Sequence, residues 1–213
     1  MNVKTIIQPV VLLFFLITSA CAIAPLTEEH TAKTLGKGGN EWAIQGGMGS
    51  SVGYKRGVTD RLDVGILLEY QYQTLGSLMA LTGKYMINDS STPTSLIANV
   101  GFGTGSTFGS LGLIQDAVKR KNYLLSFNAR YNVFNWDLSD SDDEEDAEDF
   151  LSDVINGALE SISGTFQYAS VNMANTYYFD SKAGVTLNLG GFIFIEDDAQ
   201  FTPNVGLKFH FKY

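Results

Sequence analysis

The sequence NVGLKFHFKY, residues 204–213, is the stretch that best indicates the fold of the chain. Every odd position from Val205 to Tyr213 is apolar or aromatic, whereas the even positions between them hold glycine, lysine or histidine. Because successive side chains of a β-strand point to opposite faces, these residues predict a strand with one apolar face and one charged face. The fold depends on which of the two faces meets water.

The same alternation runs through most of the chain after residue 40. In Arg61–Gln73 the even positions are apolar or aromatic, and Tyr123–Phe134 alternates in the same way. Strands are predicted at 41–48, 51–58, 61–73, 78–87, 95–104, 110–118, 123–134, 168–179, 184–195 and 204–213. The strand at 110–118 is included partly because single-chain bacterial membrane barrels have an even number of strands. Each strand is close to the length that a tilted strand needs to cross a bilayer.

The positions of the aromatic residues indicate that the apolar face meets lipid. Membrane barrels carry aromatic girdles where the apolar band meets the headgroups. Seven aromatic residues cluster near strand ends on the apolar parity: Tyr70, Tyr72, Tyr123, Tyr131, Tyr177, Phe179 and Tyr213. The other parity is rich in Asn, Gln, Thr and Gly and lacks the dense charge of a solvated surface. The sparse charged residues on it are candidates to line a lumen: Glu41, Lys55, Asp63, Glu69, Lys84, Arg130, Lys208 and His210.

From Glu41 to Tyr213 the chain resembles small bacterial outer-membrane β-barrels, whose last strand typically ends in an aromatic residue. The resemblance implies an all-β fold, a transmembrane antiparallel up-and-down β-barrel of about ten strands. It also implies location in the bacterial outer membrane, contact with outer-membrane lipid, and recognition of the C-terminal strand by the barrel-insertion machinery.

The N-terminus has the layout of a secretory signal peptide, assigned to residues 1–20. A lysine at position 4 precedes the apolar run Val10–Ile17, and small residues follow. Thr18–Cys21, TSAC, resembles the lipobox of bacterial lipoproteins, which implies lipidation at Cys21. Cleavage after Ala22 is the alternative and would discard that cysteine. Residues 21–40, which include His30, are predicted to form a periplasmic lead-in, and residues 41–213 the barrel.

The acidity of the chain belongs to one segment, residues 135–164. Ten of the 23 acidic residues lie between Asp137 and Asp153, so that 13 acidic and 14 basic residues remain elsewhere. Apolar residues at helical spacing predict a short amphipathic helix at Glu148–Ile162. The segment is interpreted as a solvated extracellular loop that could meet an extracellular partner. A calcium site is the alternative, with candidate ligands Asp140, Asp142, Glu144 and Asp146.

No basic stripe suggests nucleic-acid binding, and no cofactor motif is present. The chain has only two histidines and no serine in a recognisable nucleophile motif, so catalysis is not expected. The first interpretation is therefore a structural or surface-interaction barrel. A narrow channel or transporter for a small solute is the alternative, with the solute passing along Lys84, Arg130 and Lys208. A lipid-modifying outer-membrane enzyme that depends on His210 is the second alternative.

Overall fold

The computed structural model describes residues 29–72, 76–103, 106–136, 164–195 and 201–213. Ten β-strands account for most of them. Their bounds are β1 Asn40–Gly47, β2 Gly49–Gly57, β3 Leu62–Gln71, β4 Gly76–Asn88, β5 Thr94–Gly103, β6 Ser106–Arg120, β7 Tyr123–Trp136, β8 Gly164–Tyr178, β9 Ala183–Phe194 and β10 Phe201–Lys212. All ten strands predicted from the alternation are confirmed, and the one that rested on the even count is β6, 15 residues long.

The ten strands close into an antiparallel barrel. Each strand pairs with its neighbours in sequence, and β1 pairs with β10 to complete the ring. At this closure Trp42 lies opposite Phe211 and Ile44 lies opposite Phe209. Closure removes the unpaired strand edges that would otherwise expose backbone N–H and C=O groups to lipid. The predicted up-and-down barrel is therefore confirmed.

The barrel has two rims, which are named here for what they carry. The terminal rim holds the start of β1, the end of β10 and the short turns after β2, β4, β6 and β8. The loop rim holds the connections after β1, β3, β5, β7 and β9. The acidic segment lies in the sequence between β7 and β8, and the strand ends on either side of it, Trp136 and Gly164, are at the loop rim.

The apolar parity faces outward around the whole ring. Leu81, in the middle of β4, is 60% exposed, and Val100 of the neighbouring strand is 58% exposed. Soluble monomers rarely expose a continuous apolar surface of this kind, so the belt is solvated by hydrocarbon rather than water. Near the terminal rim, the indole N–H of Trp42 donates a hydrogen bond to the hydroxyl of Tyr213 at 3.0 Å. No helix within the described ranges is long and apolar enough to span a membrane.

The lumen differs from the sequence prediction near the loop rim. The sequence analysis predicted that polar or small residues line the inner face, but two apolar clusters lie there. One contains Leu67, Leu78, Ala80, Phe108 and Phe134, with Phe166 packed against it. The other contains Tyr168 and Phe192, with Met48 and Phe194 packed against it. Gly101 makes room for the first cluster, because a Cβ there would lie 2.6 Å from the ring of Phe108.

Several sequence predictions fall outside the described residues. These are the signal peptide, Cys21, the acidic segment from residue 137 to 163, its helix at 148–162 and the calcium candidates Asp140, Asp142, Glu144 and Asp146. Within the described ranges, no group of three or more His, Cys, Asp or Glu side chains could hold a metal ion.

Candidate functional site

Residues 29–39, here called the inserted segment, lie at the terminal rim and in the adjoining part of the lumen. Residues 29–32 are buried inside the barrel, and the chain reaches the rim through Lys33 and Leu35 before β1 begins. A tight turn follows, in which Gly36 and Gly38 have φ values of 76° and 83°, a backbone conformation that glycine adopts without steric cost. The N–H of Gly38 donates to the carbonyl of Gly57 at 2.8 Å, which ties the turn to the end of β2.

Asp116 on β6 anchors the buried part of this segment. One carboxylate oxygen accepts the backbone N–H of Ala32 at 2.7 Å, and the other accepts the hydroxyl of Thr31 at 3.0 Å. Ser126 donates to Asp116 at 2.8 Å, and its oxygen also lies 3.1 Å from the backbone carbonyl of His30. Hydrogen bonds to a charged group are worth about 1.5–3 kcal/mol each, so Asp116 alone supplies a substantial part of the docking free energy.

Lys84 and Asp63 extend this anchor toward the rim. The Lys84 ammonium donates to the carbonyl of Lys33 at 2.7 Å and pairs with Asp63 at 3.3 Å. The Asp63 carboxylate also accepts the backbone N–H of Leu35 at 3.0 Å. The apolar side chain of Ala32 packs in one cluster with Ile97 and Ile114 of the barrel wall. The segment is therefore held by polar contacts on several strands and by one small apolar contact.

Glu29 lies deepest, against three lysines. Its carboxylate contacts the ammonium of Lys55, and the ammonium of Lys84 lies 3.8 Å from its other oxygen. Burial opposes ionisation of Glu29, but the charges of Lys55, Lys84 and Lys208 outweigh burial and hold the pKa of this carboxyl well below its ordinary value. Glu29 is therefore an anion inside the barrel.

His30 and His210 form a stacked pair. Their ring centroids are 4.1 Å apart with planes inclined by 15°, and Nε2 of His30 lies 3.4 Å from a carboxylate oxygen of Glu41. Burial lowers the pKa of His30 well below its ordinary value, and the charges of nearby lysines lower it further. His30 is therefore neutral when the segment is docked.

All eight lumen-lining candidates point into the barrel. Lys55 is half-buried, and the others are at least nine-tenths buried: Glu41, Asp63, Glu69, Lys84, Arg130, Lys208 and His210. Those nearest the terminal rim contact or adjoin the inserted segment. Arg130 lies farther along the lumen and Glu69 farther still, where Glu69 accepts a hydrogen bond from Gln71 at 3.0 Å.

A belt of amides and hydroxyls lines the middle of the lumen. Its members are Gln45, Ser51, Asn99, Ser110, Asn132, Ser170, Asn172, Asn188 and Asn204, all buried. Asn99 donates to Ser110 at 2.8 Å across β5 and β6. Among the described residues, both amide atoms of Asn188 and the oxygen of Asn132 have no hydrogen-bond partner in the protein. Buried amides of this kind are ordinarily hydrogen-bonded to water, so the belt favours a hydrated interior.

A small cavity adjoins Glu29. Its volume is about 20 Å³, and Lys55, Arg130 and Lys208 line it together with the Glu29 carboxylate. A space of this size holds about one water molecule. With the inserted segment docked, this part of the lumen has no room for a solute.

Sequence reasoning missed the inserted segment. It placed His30 in a lead-in outside the barrel, and it gave no role to Glu29 or Asp116. The stretch from residue 28 to 40 has no periodicity that would indicate an interior position. Its contacts with Asp116 and Ser126 join residues that are more than 80 positions apart in the sequence.

The fold and lumen define a small ten-stranded β-barrel with a membrane-facing apolar surface and an occupied polar interior. No family model and no curated protein matches the chain. Among solved structures it is similar to a KdgM porin in complex with disordered oligogalacturonate, at 7% sequence identity and a TM-score of 0.40. It is also similar to a KdgM porin at 7% identity and a TM-score of 0.38. Each match covers 82% of this chain and 98% of the porin chain.

These matches correct the first functional interpretation. The interpretation as a structural or surface-interaction barrel is contradicted, since both of these solved structures are porins. The expectation that the protein catalyses no reaction stays a prediction.

Proposed function

We propose that the protein is a narrow channel of the bacterial outer membrane that passes a small solute and is closed from the terminal rim by its inserted segment. The observation that carries the proposal is a polar lumen filled at one end by a segment that makes only non-covalent contacts with the wall. A barrel with a purely structural role would be stabilised more simply by side chains that fill the interior, as in eight-stranded barrels.

The amide belt supports this proposal. Polar groups that line a pore exchange hydrogen bonds with a passing solute or its water, and they also set its selectivity. Asn132 and Asn188 offer such groups within the described part of the lumen. The apolar clusters at the loop rim would then narrow the passage, since hydrophobic constrictions control the entry of water.

The orientation completes the proposal. We assign the terminal rim and the N-terminus to the periplasm, and the acidic loop to the cell exterior. Lipidation at Cys21 would place an acyl anchor eight residues before Glu29. The matched KdgM porin is in complex with an oligogalacturonate, and for this chain we propose only that the solute is small.

Planar-bilayer recording of the full mature protein tests the channel. We expect brief openings in the wild type, and we expect Arg130→Glu to shift the reversal potential in a salt gradient toward cation preference, because it reverses one charge in the middle of the lumen. Arg120→Glu, the same change at an exposed position at the terminal rim, is the matched control and should leave the reversal potential unchanged. Silence in the wild type and in a variant without the inserted segment would contradict the proposal.

Acidification should open the channel through His30. The docked state holds His30 neutral with a pKa below the ordinary 6.5, so its contribution to docking is complete above that pH and is lost as the pH falls. Between pH 6.5 and 5.5 docking should weaken by about 1 kcal/mol, which is about fivefold in open probability. The charged or titratable groups that face His30 are Glu41 on β1, Lys84 on β4, and Lys208, His210 and Lys212 on β10.

A His30→Gln variant is the control for this pH response. It removes the group that titrates and keeps a side chain of similar polarity, so its open probability should vary much less between pH 6.5 and 5.5. Glu29 does not account for the response, because the pKa of its carboxyl is lowered from 4.5 and its contribution is lost only below that pH. An equal response in both proteins would contradict the role of His30.

A further inference from the structure

The lysine cluster, Lys55, Lys84 and Lys208, surrounds a carboxylate that belongs to the inserted segment. Lys84 and Lys208 are almost fully buried, and Lys55 is half-buried. Removing an ammonium group from water is strongly unfavourable unless an anion accompanies it. Asp63 pairs with Lys84, and Glu29 contacts Lys55 and adjoins Lys84. The cluster is therefore built to hold an anion at the position that Glu29 occupies.

The cavity beside Glu29 shows where a solute would approach. It extends from the carboxylate toward the loop rim, with Arg130 and Lys208 on its wall. A guanidinium group matches the planar geometry of a carboxylate and can bind both oxygens at once. A solute that entered from the loop rim would meet Arg130 before it reached the lysine cluster. The cavity is too small for it until Glu29 withdraws.

We propose that the lysine cluster and Arg130 form a binding site for a solute that carries one carboxylate, and that Glu29 occupies this site as a competing internal ligand. The solute and the inserted segment then exclude each other, so binding of the solute favours the undocked state. This assignment deepens the proposed channel function by naming the chemical class of its solute.

Isothermal titration calorimetry of the purified full chain in detergent tests the site, with gluconate as the monocarboxylate probe. The wild type should bind gluconate weakly, because only the undocked fraction is competent. Glu29→Gln should bind it about tenfold more tightly, since the amide keeps the shape of the side chain but no longer competes as an anion. Asp180→Asn removes one negative charge from an exposed turn at the same rim and should leave the affinity unchanged.

Further variants and probes test whether gluconate binds at the lysine cluster and through its carboxylate. Adding Lys208→Gln to Glu29→Gln should abolish gluconate binding, and glucose, which has no charge, should not bind. If sulfate binds as tightly as gluconate, or if Asp180→Asn tightens binding as much as Glu29→Gln does, the carboxylate assignment is overturned. Glu29→Ala provides a second variant in case Glu29→Gln does not fold, as judged by heat-modifiable electrophoretic mobility.

The binding and conductance experiments separate the two proposals. A protein that conducts in planar bilayers but binds no gluconate, in the wild type or in either Glu29 variant, would overturn the carboxylate site and leave the channel standing. A protein that binds gluconate with the expected variant pattern but never conducts would overturn the channel and leave the site.

Discussion

Deleting residues 29–38 should raise the mean current through the barrel by about a hundredfold at fixed voltage. The docked segment is held by at least two hydrogen bonds to the Asp116 carboxylate, from Thr31 and Ala32. At about 1.5 kcal/mol or more for each charge-assisted bond, docking by these contacts alone favours the closed state by roughly a hundredfold. Removing the segment abolishes this preference, and planar-bilayer recording at symmetric salt measures the change.

A variant with residues 29–38 replaced by an equal length of glycine and serine is the matched control for the deletion. It keeps the connection between the N-terminus and β1 but removes the contacts with Asp116, Lys55 and Asp63. Its current should approach that of the deletion variant, because a flexible chain has no specific partner in the lumen. If both variants insert into the bilayer as folded barrels and carry no more current than the wild type, the inserted segment is not the closing element.

The barrel could be predicted from the sequence because its signal is local. In every strand the side-chain period of two separates a lipid-facing set from a lumen-facing set, and a shift by one residue would exchange the two sets. The alternation in β10 therefore predicted correctly that Phe209 faces outward and His210 inward. The strand ends were also close, since turns rich in polar residues interrupt the alternation, as at Asn88 before β5.

The inserted segment could not be predicted, because the interactions that stabilise it inside the barrel involve residues that are distant in the sequence. Glu29 and His30 resemble the polar residues of any exposed linker, and each becomes favourable inside the barrel only through partners on distant strands. Glu29 requires Lys55 and Lys84, and His30 requires the ring of His210.

The sequence contains one indication of the apolar clusters near the loop rim, an apolar residue on the polar face of β3. Leu67 interrupts the polar parity of β3 between Asp63 and Glu69. Its partners Leu78 and Phe108 lie near the starts of β4 and β6, outside or at the edge of the predicted strands. Only the register of the closed barrel brings these residues to one level.

Replacing Leu81 by arginine should lower the free energy of unfolding in lipid vesicles by about 2–4 kcal/mol. Leu81 lies near the middle of β4 with its side chain outward, so the arginine would lie at the depth where the bilayer opposes charge most strongly. If water covered this face instead, the same exposed substitution would change the stability by no more than about 0.5 kcal/mol. Urea titration of the barrel in vesicles, followed by tryptophan fluorescence, measures the difference.

Val118→Arg is the depth control for Leu81→Arg. Val118 is also exposed on the outer face, but it lies two residues from the end of β6 at the terminal rim. An arginine there can extend to the headgroups, so its cost should fall to about 0–1 kcal/mol. Equal and small losses at the two positions would mean that hydrocarbon does not cover the apolar face. The orientation of every lumen residue in the channel would then have to be abandoned, because the difference between the two positions depends only on depth in the bilayer.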